Sequence, residues 1–321
     1  MRLRSFLVLA MTDFMVWVLL AILMVAGYIV EPRFITIDNL LNIISHTTPL
    51  AIMVFGLALL LMIGRIDLSM ESTYALGPIV ANLLVMTWFP SLPDFFALPV
   101  CILIGICVGY FNGYLSVKLG VSDFLVGLAM LLFVRGVVKY LIPEGLYGIP
   151  DSFCYLGSER LLDGRFPVTI IVLAVVFTAF YLITRKRPFG RRLLATGSNR
   201  EAAFISGINT NRVQMTAFVV AGAMASFAGM ISAGRQLSCT NGMGEDYIMT
   251  VLASVVLGGV VMTGGRGTII GALGGALVLQ TLENVLTLSD VNPFLQDAVF
   301  GFILLSAIVF HGVRTRQASR Y

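Results

Sequence analysis

The sequence predicts an all-α integral membrane protein with about ten transmembrane helices. Three observations support this prediction: the composition, the number of long apolar runs and the position of one strongly basic segment. Of the 321 residues, 58% are hydrophobic and only 12% are charged, which is far too apolar for a soluble domain. The length suits about ten spans of about 20 residues with short loops. Residues 1–321 are therefore predicted to form a single transmembrane domain.

Ten apolar runs define the predicted spans. Some of these helices are expected to be broken, because Pro49 lies within the second run, Gly77-Pro78 within the third and Gly258-Gly259 within the eighth. Such breaks occur where helices bend around a pathway or pack tightly. The predicted spans are residues 14–30, 39–63, 72–89, 96–117, 124–142, 167–184, 215–233, 249–263, 268–288 and 296–310.

Residues 185–214, here called the basic loop, form a polar segment between two apolar runs. The loop holds seven basic residues and one acid, so the positive-inside rule places it in the cytoplasm. With both termini on that side, the inner segments hold fifteen Lys and Arg residues and the outer segments four, with two more inside a span. This asymmetry supports both the number of spans and their orientation. The basic residues of the loop are Arg185, Lys186, Arg187, Arg191, Arg192, Arg200 and Arg212.

A short helix is predicted inside the basic loop. Gly197 and Ser198 favour a turn, and Asn199 is a typical N-cap residue. Glu201 then lies in the first helical turn, and Gly207 is expected to end the helix after about two turns. A helix this short is marginal alone, so we expect it to dock on a protein surface. An ordinary basic connector is the alternative interpretation.

Glycine patterns suggest that the chain contains two related halves. Rows of glycine at four-residue spacing let helices approach closely in lipid. Two such rows lie five spans apart, and residues 39–65 weakly resemble residues 209–235 with the same offset. Because five is odd, the halves would have inverted topology, although chance similarity remains open. The rows are Gly105, Gly109 and Gly113 in the fourth span, and Gly267, Gly271 and Gly275 at the ninth.

No residue pattern indicates an enzyme, a metal site or a cofactor. The four cysteines lack CxxC spacing, the two histidines are far apart in sequence, and no Walker A sequence is present. The basic residues lie at membrane boundaries, where topology accounts for them, so nucleic acid is not an expected partner. Cys154 and Cys239 both lie outside in the predicted topology. We expect them to be free thiols, with a disulfide as the alternative.

Ionisable residues in or beside the spans are costly in lipid and are therefore functional candidates. Asp67 and Ser69 lie where one span ends and the next begins, so they can cap a helix or, with Glu71, line a pathway. Arg135 and Lys139 are expected to pair with carboxylates or to reach the membrane interface. The full set of such ionisable residues is Asp13, Asp67, Glu71, Arg135, Lys139, Glu283 and Asp297.

Three motifs together resemble one family of transport proteins. They are Ile66-Asp67-Leu68-Ser69, the segment of residues 199–208, and Val256-Leu257-Gly258-Gly259 with the following Gly264-Gly265-Arg266-Gly267. In this order they resemble permease subunits of ribose-type ABC sugar importers, which include autoinducer-2 permeases and belong to the branched-chain amino acid/sugar permease superfamily. The resemblance covers about residues 34–310. It implies a ten-helix fold related to the cobalamin-importer permease, which dimerises around a central pathway.

The resemblance also implies partners and a location. They are a cytoplasmic ABC ATPase, a periplasmic substrate-binding protein, and a second copy or paralogue of the permease in the lipid bilayer of a bacterial inner membrane. The predicted helix of the basic loop would dock on the ATPase. The residues assigned to docking are Gly197, Asn199, Glu201, Ala202, Ala203, Phe204, Ser206 and Gly207.

Several residues depart from the family pattern. Arg65 and Glu71 replace small residues around the Ile-Asp-Leu-Ser motif, and we expect them to form an ion pair. Phe204 replaces a usual basic residue and bears on the choice of ATPase. An acidic pair that usually follows the tyrosine at position 247 is replaced by Ile248 and Thr250, which bears on the substrate.

The sequence therefore predicts the non-enzymatic permease subunit of an ABC importer for a sugar or a similar small polyhydroxylated solute. Autoinducer-2, a nucleoside or a branched-chain amino acid are the alternative substrates. A secondary transporter or channel is the alternative from another class, and it would need an ion or proton relay within the membrane.

Overall fold

Twelve α-helices make up most of the chain in the computed structural model, which describes residues 2–162 and 164–292 and seven positions between 295 and 305. For residues 2–14 only the backbone is described. The helices are α1 Arg2–Val30, α2 Ile37–Met62, α3 Met70–Leu83, α4 Ala97–Gly113, α5 Asp123–Leu141, α6 Asp151–Ser158, α7 Val168–Tyr181, α8 Pro188–Ser198, α9 Arg200–Ile205, α10 Thr210–Gln236, α11 Tyr247–Leu257 and α12 Ile269–Leu288.

Short elements extend or connect these helices. α3, α4 and α7 continue into π-helical turns, and four two-residue strands form two antiparallel pairs. The π-helical turns are Leu84–Trp88, Tyr114–Lys118 and Leu182–Lys186, and the 3₁₀ turns are Pro32–Ile35 and Asp94–Phe96. Strand β1 Leu146–Tyr147 pairs with β4 Ser238–Cys239, and β2 Arg160–Leu161 pairs with β3 Phe166–Pro167.

The predicted multi-pass helical architecture is confirmed for the described residues. Six helical segments are long and apolar enough to cross a bilayer, and two shorter apolar helices correspond to the first and eighth predicted spans. The tenth predicted span, residues 296–310, lies mostly outside the described residues, as does Asp297. The six segments are Ile37–Met62, Asp94–Lys118, Asp123–Leu141, Val168–Lys186, Thr210–Gln236 and Ile269–Leu288.

The core of the molecule is the contact between α2 and α10. Over its most apolar 18 residues, α2 is 89% buried and α10 is 72% buried, whereas α4, α5 and α7 are only 22%, 28% and 22% buried. A helix that is apolar on every side is stable only when it is surrounded, and α2 is apolar from Leu50 to Met62. Pro49 lies inside α2 without ending it. The other helices therefore pack around a central pair.

The glycine row on α4 lies against α10. A Cβ atom added to Gly105 would stand 2.3 Å from the carbonyl oxygen of Gly222, and one added to Gly109 would stand 2.3 Å from that of Phe218. Gly113 faces Phe218 and the sulfur of Met215. The absence of side chains along this row is what allows the two helices to approach so closely.

The second glycine row was predicted only in part. Gly271 and Gly275 lie against α11, where a Cβ atom added to Gly275 would stand 1.9 Å from the carbonyl oxygen of Ser254. Gly267 does not belong to this row, because it precedes Thr268, the N-cap of α12, and lies in the turn after α11 with φ of +146°. The prediction for Gly267 was therefore wrong.

Several predicted boundaries were also wrong. α11 ends at Leu257 rather than at 263, because Gly258 is its C-cap and Gly259 has φ of +81°, outside the helical region. α10 begins at Thr210 because the side chain of Asn209 caps it. The turn expected at Gly197 is helical, since α8 extends to Ser198. The short helix α6 was not predicted.

Candidate functional site

A polar cavity of about 620 Å³ lies at the end of α10 that is remote from the basic loop. α2, α3, α10, α12 and the loop before α11 surround it. The side chains that give the cavity its chemistry include His46, Tyr74, Arg235, Tyr247 and Glu283. These residues are spread over most of the sequence, and the packing of α2 against α10 and α12 brings them together.

The cavity offers both hydrogen-bond donors and acceptors beside two aromatic rings. The rings of Tyr74 and Tyr247 are 5.3 Å apart between centroids, with an interplanar angle of 50°. Gln280 donates to the Glu283 carboxylate at 2.9 Å, and the Arg235 guanidinium donates to the carbonyl oxygen of Ser45 at 3.4 Å. Pockets with a few convergent polar groups typically bind small polar molecules. The arrangement suits a solute rich in hydroxyl groups.

One wall of the cavity is residues 240–246, here called the outer loop. Lys139 on α5 forms an ion pair with Glu245 of this loop at 2.8 Å, and Arg135, one turn earlier, forms an ion pair with Glu71 at 3.2 Å. The prediction that Arg135 and Lys139 pair with carboxylates is confirmed. The hydrogen bond from Lys139 also lowers the pKa of Glu245 below its ordinary value.

The expected ion pair between Arg65 and Glu71 was wrong. Arg65 pairs with Asp123 at the start of α5, and Glu71 pairs with Arg135 further along the same helix. α5 supplies the ion-pair partners of both Arg65 and Glu71 because it runs beside the segment that joins α2 to α3. A Cβ atom added to Gly127 of α5 would stand 2.7 Å from the backbone nitrogen of Leu68, which shows how close this contact is.

Asp67 and Ser69 lie in a buried cluster that is separate from the cavity lining. The Asp67 carboxylate is 1% exposed and accepts hydrogen bonds from the Ser69 hydroxyl at 2.7 Å and from the Asn112 side chain at 3.0 Å. It also accepts the Ser69 backbone N–H at 2.9 Å. Of the three predicted pathway residues, only Glu71 is placed beside the outer loop. Asp67 and Ser69 instead join the start of α3 to Asn112 of α4 through these hydrogen bonds, and the side chain of Ser69, the N-cap residue of α3, makes no capping bond.

The short helix α9 projects from the basic loop with both ends capped. The Asn199 side chain accepts the backbone N–H of Ala202 at 2.9 Å. At the other end, Ile208 N–H bonds to Ala203 and Gly207 N–H bonds to Phe204, which forms a Schellman motif with Gly207 at φ of +82°. The predicted N-cap and helix-ending glycine are therefore both present.

The predicted docking residues divide into two groups. Phe204 is 68% exposed and Ile205, its neighbour, is 80% exposed, whereas Ala203 is only 5% exposed. Gly197 is also held against the body of the protein, since a Cβ atom there would stand 1.9 Å from the carbonyl oxygen of Met62. The assignment of Ala203 to docking was wrong, because Ala203 is buried and the opposite face of α9 carries the exposed side chains. The remaining predicted docking residues, Asn199, Glu201, Ala202, Ser206 and Gly207, are exposed.

The four cysteines, all of them within the described residues, are free thiols. Cys154 and Cys239 are both buried and unbridged, as expected. Cys239 is in β4 immediately before the outer loop, and it is 0% exposed.

Comparison with known proteins identifies the family. Residues 39–308 match the family described as "Branched-chain amino acid transport system / permease component". The chain belongs to this permease family. It is accordingly a multi-pass transport subunit and not an enzyme. No solved structure matches the permease at a significant level.

Curated relatives match nearly the whole permease. The ribose import permease protein RbsC of Haemophilus influenzae is 32% identical over 299 residues, which cover 91% of each chain. The galactose/methyl galactoside import permease protein MglC of Escherichia coli is 27% identical, with 93% of this chain and 94% of the relative covered. The autoinducer 2 import system permease protein LsrC of Photorhabdus laumondii is 30% identical, with 92% and 88% covered.

Sequence reasoning missed most of the cavity. Glu283 was a candidate because it is an acid in a span, but His46, Arg235 and the tyrosines gave no local pattern. Asn112 was missed as well. It lies between Gly109 and Gly113 in the otherwise apolar fourth span, and a single amide side chain in such a span is a signal that could have identified it.

Proposed function

We propose that this permease is the membrane subunit of an ABC importer for a sugar or a similar small polyhydroxylated solute. The observation that carries the proposal is the polar cavity of about 620 Å³ beside α10. Its volume lies within the range of about 300–1,000 Å³ that is usual for small-molecule sites. Its carboxylate, guanidinium and amide groups can exchange hydrogen bonds with hydroxyl groups, and its tyrosine rings can pack on a sugar face. The relatives named for ribose and galactose import agree with this chemistry.

The exposed face of α9 is the proposed docking surface for the cytoplasmic ATPase. Phe204 and Ile205 expose apolar side chains beside a groove of about 770 Å³ that Glu201, Gly207 and Asn209 help to line. Exposed apolar groups on an otherwise charged loop are typical of a protein contact. Because both ends of α9 are capped, its geometry is fixed, and a movement of the bound ATPase would move α9 as a unit. α10 follows α9 in the chain and reaches the cavity wall, so it would carry that movement to the cavity.

Inverted-topology halves are supported by matching helix contacts. α2, α3 and α4 are the second to fourth spans, and α10, α11 and α12 are the seventh to ninth. In the first half, α3 packs on α4, and both pack on α10 of the second half. In the second half, α11 packs on α12, and both pack on α2 of the first half. Each pair of contacts is related by the same shift of five spans. This pattern supports two related halves, and five being odd gives them inverted topology. The relation of the fold to the cobalamin-importer permease is what the family resemblance implies.

The proposal includes the surroundings that such an importer needs. The permease would form one transmembrane domain in a bacterial inner membrane, with both termini and the basic loop in the cytoplasm, a second permease copy or paralogue beside it, and a periplasmic binding protein at the cavity side. The proposed orientation follows from the excess of Lys and Arg on one side of the spans.

Uptake by proteoliposomes tests this function. The permease would be purified from its host together with the ATPase that binds it. The complex would then be reconstituted with the binding protein that is encoded beside the permease. Radiolabelled ribose, galactose, autoinducer-2 and leucine would then be offered separately. We expect uptake of a sugar that requires ATP on the ATPase side and survives collapse of ion gradients. Uptake that follows an ion gradient without ATP would refute the importer, and ATP-driven uptake of leucine or autoinducer-2 alone would refute the sugar.

A further inference from the structure

The backbone hydrogen bonds inside the outer loop join only residues close in sequence. The Met243 N–H donates to the Thr240 carbonyl oxygen at 3.2 Å, and the Glu245 N–H donates to that of Gly242 at 3.0 Å. Such bonds shape the loop but do not fix it against the helices.

Residues 241–246 are all in turns, and Gly244 with φ of +77° and Asp246 with φ of +63° have left-handed backbone conformations. Loops of this composition are usually mobile unless other elements hold them. The outer loop nevertheless supplies one wall of the cavity, including Met243 and Glu245. Something outside the loop must therefore set its position.

The buried side chain of Arg135 provides this support from α5. Its Nη1 donates to the carbonyl oxygen of Met243 at 2.8 Å and to that of Asn241 at 3.4 Å. Its Nη2 pairs with Glu71 at 3.2 Å, and both charged side chains are 9% exposed. A guanidinium suits this task because its planar group carries five donors with fixed directions. Arg135 itself does not line the cavity.

Glu71 completes the support from α3. Its carboxylate balances the buried charge of Arg135. Its backbone also lies against the outer loop, because a Cβ atom added to Gly244 would stand 3.0 Å from the Glu71 carbonyl oxygen. The buried pair thus contacts the loop at residues 241 and 243 through Arg135 and at residue 244 through Glu71, in addition to the exposed ion pair between Lys139 and Glu245. A charge buried in this way is costly without its partner, so removal of either side chain leaves an unbalanced group behind.

We infer that Arg135 and Glu71 are positioning residues that set the affinity of the cavity for its solute by fixing the outer loop. Neither side chain needs to touch the solute. The inference concerns the site of the proposed function and uses that function for its uptake measurement only. A second measurement, on the position of the loop, is independent of any substrate.

Thiol labelling measures the position of the loop directly. Cys239 is fully buried just before the loop, whereas Cys154 is buried in α6 on the same side. N-ethylmaleimide labelling of the complete permease would be followed for each cysteine by peptide mass spectrometry. We expect Arg135→Ala to raise the labelling rate of Cys239 at least about tenfold, because a buried ion pair has lost one partner. The Cys154 rate should be unchanged, which excludes general unfolding.

Two further variants keep the labelling test decisive if Arg135→Ala folds poorly. Glu71→Gln keeps the shape of the side chain but removes its charge, and it should raise the Cys239 rate several-fold. The reversed pair, Glu71→Arg with Arg135→Glu, should restore part of the protection that each single change removes. Arg165→Ala, which removes an exposed arginine near β3, should have no effect. Equal Cys239 rates in the wild type and in Glu71→Gln would overturn the inference.

Uptake kinetics distinguish a positioning role from a general loss of structure. With the solute found for the wild type, we expect Glu71→Gln to raise KM about tenfold with little change in the maximal rate per folded transporter, and Arg135→Lys to give a smaller rise. A lower maximal rate at unchanged KM would overturn the role in affinity. If the wild type transports no offered solute, the proposed function fails, while the labelling result still decides whether the ion pair holds the loop.

Discussion

The cavity and the exposed face of α9 lie at opposite ends of α10 and are built in opposite ways. The cavity collects side chains from five separate parts of the chain, whereas the α9 surface comes from one stretch of residues 200–211. α10 has 27 residues and is therefore about 40 Å long, at 1.5 Å per residue. One surface depends on long-range packing and the other on local capping. The two should therefore respond differently to mutation.

The largest loss of stability is expected at the contact between α4 and α10, because α10 connects the cavity and the α9 surface. Gly109→Leu would place a side chain into the α4–α10 contact, where even a Cβ atom meets the Phe218 carbonyl oxygen at 2.3 Å. We expect a destabilisation of about 3 kcal/mol and weakening of both surfaces, measured by thermal unfolding in detergent. Gly136→Leu on α5 is the matched control, since nothing lies within 4 Å of its added Cβ atom. Equal stability of the two variants would contradict the packing argument.

The next largest effect is expected for a change in the cavity, which should alter uptake without altering ATPase binding. Arg235→Ala removes a charged donor from the cavity, and loss of such a hydrogen bond costs about 1.5–3 kcal/mol. We therefore expect uptake with KM raised roughly tenfold to a hundredfold. The amount of co-purified ATPase should be unchanged, because α9 is at the other end of α10. If Arg235→Ala lost the ATPase but kept its KM, the cavity end of α10 and not the α9 end would bind the ATPase, which would contradict the proposed roles of the two surfaces.

The same contrast explains what the sequence could predict. Asn199 and Gly207 were recognised as helix ends because capping depends on neighbouring residues and on backbone angles that few residue types adopt. Nine of the predicted spans correspond to described helices, because each span begins as an apolar run that is visible in the sequence. The charge of the basic loop likewise follows from composition.

Contacts between distant residues could not be predicted in this way. Arg65 and Glu71 were expected to pair because they are close in sequence, yet α5 supplies a nearer partner to each. The side chains of His46 and Arg235 share a cavity although they are far apart in the chain. Finding such contacts requires the packing of α2, α5 and α10, which no local pattern encodes.

A smaller and local effect is expected at the α9 surface. Phe204→Ala removes the exposed ring from the proposed docking face, and loss of a central aromatic residue costs about 2 kcal/mol, or roughly 30-fold in affinity. The measurement is ATPase binding to the purified permease. Phe95→Ala, at a residue with 66% exposure in the turn before α4, is the matched control. Ala203→Trp is a poorer test, because Ala203 packs against the permease and its replacement would disturb α9 itself.

The smallest effect is expected at the exposed ion pair between Lys139 and Glu245. Their side chains are 54% and 46% exposed, so Lys139→Ala should cost less than about 1 kcal/mol in thermal unfolding. The pKa of Glu245 is lowered in the folded state, so its contribution is present at neutral pH and is lost as the pH falls through that lowered value. The difference between wild type and variant should therefore vanish in acid, and in 1 M NaCl, where the screening length is about 3 Å. A difference that survived both conditions would come from packing of the Lys139 stem, and the outer loop would then depend on its buried ion pair for charge and on Lys139 only for contact.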